Sequence, residues 1–459
     1  MSDDAAPTAG RLRVEEYGVQ PIPRDEQTAG WRDLFAINFT FFVNPVMYVL
    51  GALAVIDGGL PLWWAVAAMV VGQALAYAML CVIGQPGVDY GITGQVQMRA
   101  HLGYWGSRCL TSPYRVIAAT YWFAAQSLTG AFGIQALWRA MTGDELPLVP
   151  VAVCLGVVHA TLAVLGFDVM RWMLKVVLPV SLGFTAFLIA LFLVTDNPDY
   201  AVAHVFESPG QEPTWTGFAT YVTVMCGASL TLVANVADFC RYTPTRRDMR
   251  IGLAASAVAA AVVTTFVGGY AAVATGETNP FVAVAELVSN ELVLLVLIAA
   301  IVIQGLAANV TNVYTGGLSL VNSIPRLGRL WATIAVAVVA VTLSAFPDLI
   351  EGAQRWITYL GNLGAPLAGA VLADYLVLKR QRLDLDGLFD PDGPYRYWRG
   401  LNVAGLLAVA GGAVVYFAVP DGWVKVVAGV ASAWLIYLGL VAARSVFRSP
   451  RTAEEAVEG

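Results

Sequence analysis

Charge is scarce in this 459-residue chain: Asp, Glu, Lys and Arg together make up 13% of it, against 58% hydrophobic residues. With a mean hydropathy of +0.68, that balance excludes an ordinary soluble domain, in which about a quarter of the residues are charged. Histidine is rarer still. The five cysteines (Cys81, Cys109, Cys154, Cys226, Cys240) show no metal-type spacing and read as small buried residues. No glycine-rich phosphate loop, nucleophile elbow or HExxH is present, so neither an enzyme nor an organic cofactor or metal centre is expected. The first thirty residues also lack the short apolar core of a cleavable signal. Polar, mixed in charge and carrying Pro7, Pro21 and Pro23, they read as a disordered tail, residues 1–30.

What fills the chain instead is apolar sequence. Twelve runs are long enough to span a bilayer as helices of roughly 20 residues. They lie near residues 33–55, 62–83, 114–141, 147–166, 173–194, 214–236, 251–275, 292–320, 328–346, 354–378, 399–419 and 423–443. Positive charge is confined to alternate gaps between them. The gap after the second run holds Arg99, Arg108 and Arg115, and the gap after the sixth holds Arg241, Arg246, Arg247 and Arg250. Lys379, Arg380, Arg382, Arg396 and Arg399 follow the tenth, whereas Arg139, Arg355 and Lys425 alone fall in gaps of the other set. An all-α membrane protein of the cytoplasmic membrane with both termini cytoplasmic is therefore expected, since Lys and Arg collect on that side. No nucleic-acid partner is expected. The short tails, including 446–459, offer no output domain for a sensor, and no charged ring or filter-like repeat suggests a channel.

A helix interrupted at membrane depth implies a cavity, because its freed backbone groups must be satisfied there. The first run is broken by Asn44-Pro45 and the sixth is weakened at Cys226-Gly227-Ala228-Ser229. Five runs apart, these breaks occupy equivalent places in a five-plus-five inverted repeat, 31–196 and 197–380, with two further helices in 381–445. In the third run Trp122 and Gln126 lie four residues apart and share a helix face. There an indole plane can stack on a flat ring while the amide bonds the ring's edge.

Several ordered motifs resemble the nucleobase:cation symporter family, which includes cytosine/purine, uracil, thiamine-precursor, allantoin and hydantoin permeases. They are Gly87-Val88-Asp89-Tyr90-Gly91, Arg99-Ala100-His101-Leu102-Gly103-Tyr104-Trp105-Gly106-Ser107 and the Trp122/Gln126 pair. Others are Asn235-Val236-Ala237-Asp238-Phe239-Cys240-Arg241-Tyr242, Asn312-Val313-Tyr314-Thr315-Gly316-Gly317-Leu318, Gly361 to Gly369 with Ala373-Asp374-Tyr375, and Tyr397-Trp398-Arg399-Gly400-Leu401-Asn402. The resemblance implies a leucine-transporter-like fold, alternating access, and import of a nucleobase or related heterocycle coupled to H+ or Na+, by a monomer in the lipid bilayer. It implies a substrate site of Trp122, Gln126, Asn309 and Asn312, with Gly227 and Ser229 of the sixth run and Phe39 and Phe42 (or Phe41) of the first.

Two departures from the family pattern stand out. Relatives carry a second aromatic where this chain has Ser229, so a sandwich around the ligand would need a phenylalanine of the first run for its other face. In sodium-coupled relatives the eighth run offers a carbonyl and two hydroxyls, completed by the broken first run. The matching positions here are Gln304, Ala307 and Ala308, with Asn38 in the first run. Alanine methyls supply no oxygen to a hard cation, which points to proton coupling, although a shift of one turn would bring in Thr311 or Thr315. His159 and the Asp238/Arg241 pair are the candidate proton carriers. An amino-acid or amine permease of the same fold is the alternative, as is a sensor that binds the heterocycle without transporting it.

Overall fold

The computed structural model describes residues 18–164, 167–208 and 211–448, and among them regular structure is helical apart from one isolated bridge between Trp398 and Leu401. The first apolar run forms α1 (Trp31–Phe42) and α2 (Pro45–Ile56), followed by α3 (Leu62–Ile83), a shorter α4 (Gly94–Leu102) and the long α5 (Ser112–Thr142). Then come α6 (Leu148–Val164), α7 (Phe167–Val194), α8 (Trp215–Leu230), the five-residue α9 (Val236–Cys240) and α10 (Arg246–Thr275). The chain ends with α11 (Glu291–Ser323), α12 (Gly328–Leu343), α13 (Ala353–Leu372), α14 (Val403–Ala418) and α15 (Lys425–Arg448). The outermost parts of the two expected tails, and the side chains of Arg171 and Lys175, lie outside the described residues.

All twelve apolar runs fall on helices, but not all are spans by length and apolarity. Among the described residues seven stretches meet that measure, or eight if α1 and α2 count as one bent span. The apolar α6 and α14 are shorter, at 17 and 16 residues. Of the other two, α8 is likewise 16 residues long and carries the buried Thr223 and Ser229, and the 31-residue α5 carries buried polar side chains such as Arg115 and Gln126.

Asn44 makes the first interruption. Its Nδ2 donates to the Phe41 carbonyl (2.6 Å) and its Oδ1 accepts from the Met47 amide (3.1 Å), so one side chain ends α1 and caps α2. Pro45, whose missing N–H costs nothing at a first helical position, starts α2 at 61° to α1. The sixth run breaks one turn later than its sequence suggests. Gly227 and Ser229 remain inside α8, and the chain instead passes through tight i→i+3 turns over Thr231 to Asn235 before α9. Gly227 has a different reason for being small. A Cβ built on Gly361 of α13 would lie 2.9 Å from the Gly227 Cα, so the pair sets the α8–α13 approach. In lipid, close backbone packing of this kind replaces the hydrophobic drive between helices.

The Lys/Arg-rich gaps converge at one end of the molecule. Arg246 forks onto the Asp89 carboxylate and reaches Gln381, while Arg99 bonds the Leu388 carbonyl and Asn322. Residues 18–29 pack at the same end, in place of the disorder expected there: Ile22 pairs with Gly91, and the buried Gln27 amide donates to the Val88 and Arg241 carbonyls. Arg115 departs from this pattern. Counted as a loop cation from its place at the edge of a run, it lies inside α5 with no exposed surface.

Candidate functional site

The two interruptions meet at the centre of the bundle, where α5 packs along α11. Together they enclose a pocket of about 270 Å³, its mouth included, lined by Phe41, Phe42, Asn44, Met47, Trp122, Gln126, Ala228, Thr231 and Asn312. None of the nine lining residues is ionisable.

Each polar group in the lining has a defined state. The Trp122 indole, 5% exposed, donates its Nε1–H to Thr231 Oγ1 (3.1 Å), and that hydroxyl donates on to the Ala228 carbonyl (2.6 Å). The indole is thus tied to the sixth-run break, and Tyr121 packs edge-on against it at 5.4 Å. One turn along α5, Gln126 Oε1 is buried and meets no hydrogen-bond partner. Asn312 of α11 accepts through Oδ1 from Arg115 Nη2 (2.9 Å), and the same guanidinium donates to Thr315 Oγ1 from Nη2 (2.7 Å) and Nε (3.2 Å). A buried polar atom without a partner is rare in a folded protein, and in a pocket it marks a place for a ligand's donor.

The structure sorts the expected site residues into two groups. Trp122, Gln126, Phe42 and Asn312 line the pocket together, whereas Phe39, Gly227, Ser229 and Asn309 do not. Phe39 is buried and stacks on Phe35 at 5.5 Å. Ser229, taken as the replacement for an aromatic, donates its hydroxyl to Gln73 Oε1 on α3 (2.5 Å), and Ala228 and Thr231 face the pocket from α8 instead. Asn309 donates through Nδ2 to Ser127 Oγ (3.2 Å) and to His159 Nδ1 (2.9 Å), while His159 Nε2 donates to the Val302 carbonyl (2.9 Å). His159 is therefore the neutral Nε2–H tautomer, held inside a hydrogen-bonded cluster.

The expected cation positions offer few side-chain oxygens, the unpartnered Gln304 Oε1 being the exception. Asn38 is held by the Tyr77 hydroxyl (2.7 Å) and Ser256 (2.9 Å), Gln304 Nε2 donates to the Tyr48 hydroxyl (3.1 Å), and Ala307 and Ala308 present methyl groups. Thr315, the fallback one turn away, bonds a guanidinium that would repel a second cation beside it. Among the described residues no group of three or more His, Cys, Asp or Glu suits a metal ion.

Sequence reasoning missed Asn44, Met47, Ala228, Thr231 and Arg115 as parts of the site or its support. Asn44 was visible as a helix breaker, but nothing local shows that the residues flanking a break also line the cavity it opens. Thr231 lies one turn beyond the apparent weak point. Arg115 carried the available signal, a guanidinium within an apolar run, which in a membrane needs buried partners.

Comparison with known proteins identifies similar sequences and a similar fold. The family model for permeases for cytosine/purines, uracil, thiamine and allantoin matches residues 21–438. Hydantoin permease of Microbacterium maritypicum is 25% identical over 435 residues, covering 91% of this chain and 87% of the relative. Allantoin permease of Bacillus subtilis is 22% identical, covering 88% and 86%. The purine-uracil permease of Arabidopsis thaliana is 24% identical, covering 86% and 70%. Among solved structures, Mhp1, a nucleobase-cation-symport-1 family transporter in a closed conformation with bromovinylhydantoin bound, superposes with a TM-score of 0.80 at 22% identity, covering 94% and 96%. A sodium-coupled sialic acid symporter matches at 0.63 and 12% identity, covering 94% and 93%. These likenesses establish the leucine-transporter-like fold, and with the family model matched over nearly the whole length, the chain belongs to the family of permeases for cytosine/purines, uracil, thiamine and allantoin.

Proposed function

We propose that this protein imports a small, flat, uncharged heterocycle across the cytoplasmic membrane by alternating access, driven by the proton gradient. The observation that carries the reading is the pocket at the two helix interruptions. Trp122 offers a stacking surface there, Gln126 Oε1 is an unsatisfied acceptor, and no ionisable residue lines the wall. A neutral ring edged with N–H and C=O groups meets those needs, since stacking and amide contacts recognise it without burying a charge. A charged amine or amino acid would enter with no counter-ion. The names of the relatives, hydantoin, allantoin and purine-uracil permeases, support the same class. Phe41 and Phe42, which line the pocket as Ser229 does not, are the aromatic side chains available for the second face of the ring.

Proton coupling rests on the cation positions. A sodium ion wants about five or six oxygens, whereas the side chains of Ala307 and Ala308 supply none, Asn38 Oδ1 accepts from the Tyr77 hydroxyl, and Gln304 Oε1 is the one side-chain oxygen of the four positions left without a protein partner. We assign the termini to the cytoplasmic side, a reading supported by the convergence of Lys and Arg at the end that holds Ile22 and Gln27. The repeats are assigned to 31–196 and 197–380, in a monomer. The test is uptake into proteoliposomes of labelled hydantoin, allantoin, uracil, cytosine and hypoxanthine under an imposed proton gradient, with and without sodium. Accumulation of one ring without sodium is expected. Strict sodium dependence would overturn the coupling, and no accumulation by well-folded protein would overturn the substrate class.

A further inference from the structure

The guanidinium behind the pocket has no place in the function as described so far. Arg115 lies entirely inside α5, has the buried Asp238 as a neighbouring carboxylate and leaves Nη1 without a hydrogen-bond partner. Burying such a group is costly, so what it bonds matters. Arginine has five N–H donors and no acceptor. A side-chain amide beside it can turn only one way, with its oxygen toward the guanidinium. Asn312 does so, accepting at 2.9 Å through Oδ1, and Thr315 Oγ1 takes the neighbouring N–H groups and keeps the fork in place.

The consequence falls on the other half of the same amide. Asn312 lines the pocket, and with its oxygen turned onto the guanidinium the Nδ2 donor is the half of the amide directed away from Arg115 and left for a ligand. No comparable tie fixes Gln126, whose Oε1 has no protein partner, so its amide can turn to suit what it meets. The site therefore has one fixed donor and one adaptable amide on opposing helices, α11 and α5. We infer that Arg115 is a positioning residue that locks Asn312 as a donor, so that the ligand must present an acceptor, a ring carbonyl, at that point. This rests on reading the pocket as the heterocycle site, and it narrows that class to oxo-rings over their amino counterparts.

The experiment has two arms, so that it separates the two readings. The first needs no ligand: a thermal-stability double-mutant cycle of Asn312→Asp and Arg115→Met in purified protein. With Arg115 present, the carboxylate of Asn312→Asp meets donors, and the melting temperature should hold or rise. Combined with Arg115→Met it leaves a buried charge unpaired, and the melting temperature should fall well below that of either single variant. Equal losses in both backgrounds would overturn Arg115's hold on Asn312, whether or not any ligand is found.

The second arm reads binding of hypoxanthine against adenine and of uracil against cytosine, pairs that differ by a carbonyl in place of an amino group. Wild type should favour the oxo member by about tenfold, the scale of one unmatched buried polar group. Arg115→Met should bring that ratio close to one, and Arg115→Lys, which still offers only donors, should restore it. Asn312→Asp should lose the oxo member by about tenfold while remaining folded. Wild-type affinity in Asn312→Asp, or an undiminished ratio in Arg115→Met, would overturn the inference. Failure of wild type to bind any of the four would overturn the oxo-ring preference, while the heterocycle reading stands or falls with the uptake panel above and the stability cycle decides Arg115's hold on Asn312 by itself.

Discussion

At the scale of single residues, the site is built from side chains with half their hydrogen bonding already assigned. Trp122 is tied through its N–H to Thr231, which fixes the indole without using its faces. Trp122→Ala removes the stacking plane, a contact of about 1–3 kcal/mol by analogy with bases stacked on aromatics. Uptake should fall tenfold or more while membrane expression is kept. Trp122→Phe keeps a ring but not the Thr231 bond and should retain part of the activity. Initial rates in whole cells, normalised to folded protein by fluorescence-detection chromatography, decide the matter; unchanged uptake by Trp122→Ala would move the substrate elsewhere. The same logic explains why some expected contacts do not line the pocket. Ser229 and Asn309 look like ligand contacts because each is a polar residue in an apolar run, yet each has a protein partner in a neighbouring helix. Which neighbour a polar side chain finds is not a property of its own helix.

Among elements, close helix contact is made by glycines and by one buried ionic cluster. A Cβ on Gly268 of α10 would lie 1.9 Å from the Tyr48 carbonyl oxygen of α2, against backbone that cannot yield. Gly268→Ala should therefore cost about 1–3 kcal/mol as the helices are forced apart, read as a lowered melting temperature in detergent. A neutral result would mean that α2 and α10 are not packed at this distance. At the Lys/Arg-rich end, His101 of α4 meets Asp374 beyond α13 at 2.6 Å, and that carboxylate also takes Lys379 and, at 2.9 Å, the Tyr437 hydroxyl of α15. Burial pushes the His101 pKa below its ordinary value despite the carboxylate. The unfolded chain then binds a proton at His101 more readily than the folded one does. This contribution is intact above the unfolded value of about 6.5 and is lost as pH falls below it. The melting temperature should drop between pH 7.5 and 5.5, and the drop should shrink in His101→Asn. An equal drop in that variant would assign the effect to other groups.

For the molecule as a whole, the arrangement joins a broken element to an unbroken one on each side of the cavity. The interruptions at Asn44 and at Thr231 to Asn235 supply the pocket's bends, and the straight α5 and α11 supply its recognition groups. Because an interrupted helix has fewer intrahelical bonds to lose, movement of these segments against a firm α5–α11 pair is the economical route to alternating access. The sodium-free uptake expected above belongs to this scale. Coupling by an ion at the first and eighth runs would need oxygens from both, and here two of those positions carry methyl groups, Asn38 Oδ1 is held by Tyr77, and only Gln304 Oε1 is left unbonded.

Much of this was legible in the chain alone. The bilayer imposes apolar length and charge asymmetry on each run separately, so the helices, their number of apolar runs and the gathering of Lys and Arg at one end could be read locally. The same holds for the Asn44-Pro45 break, because a cap and a proline act within one turn, and for the Trp122/Gln126 face, because helix periodicity fixes it. Tertiary structure decided the rest. It carried the second break past Ser229, returned Asn309 and Ser229 to the packing, and drew Arg115 from the loop into the core beside Asn312. Those outcomes depend on which polar group lies opposite which across a helix interface, and the energy of an unpaired polar atom in an apolar interior is settled only once the partner helix is in place.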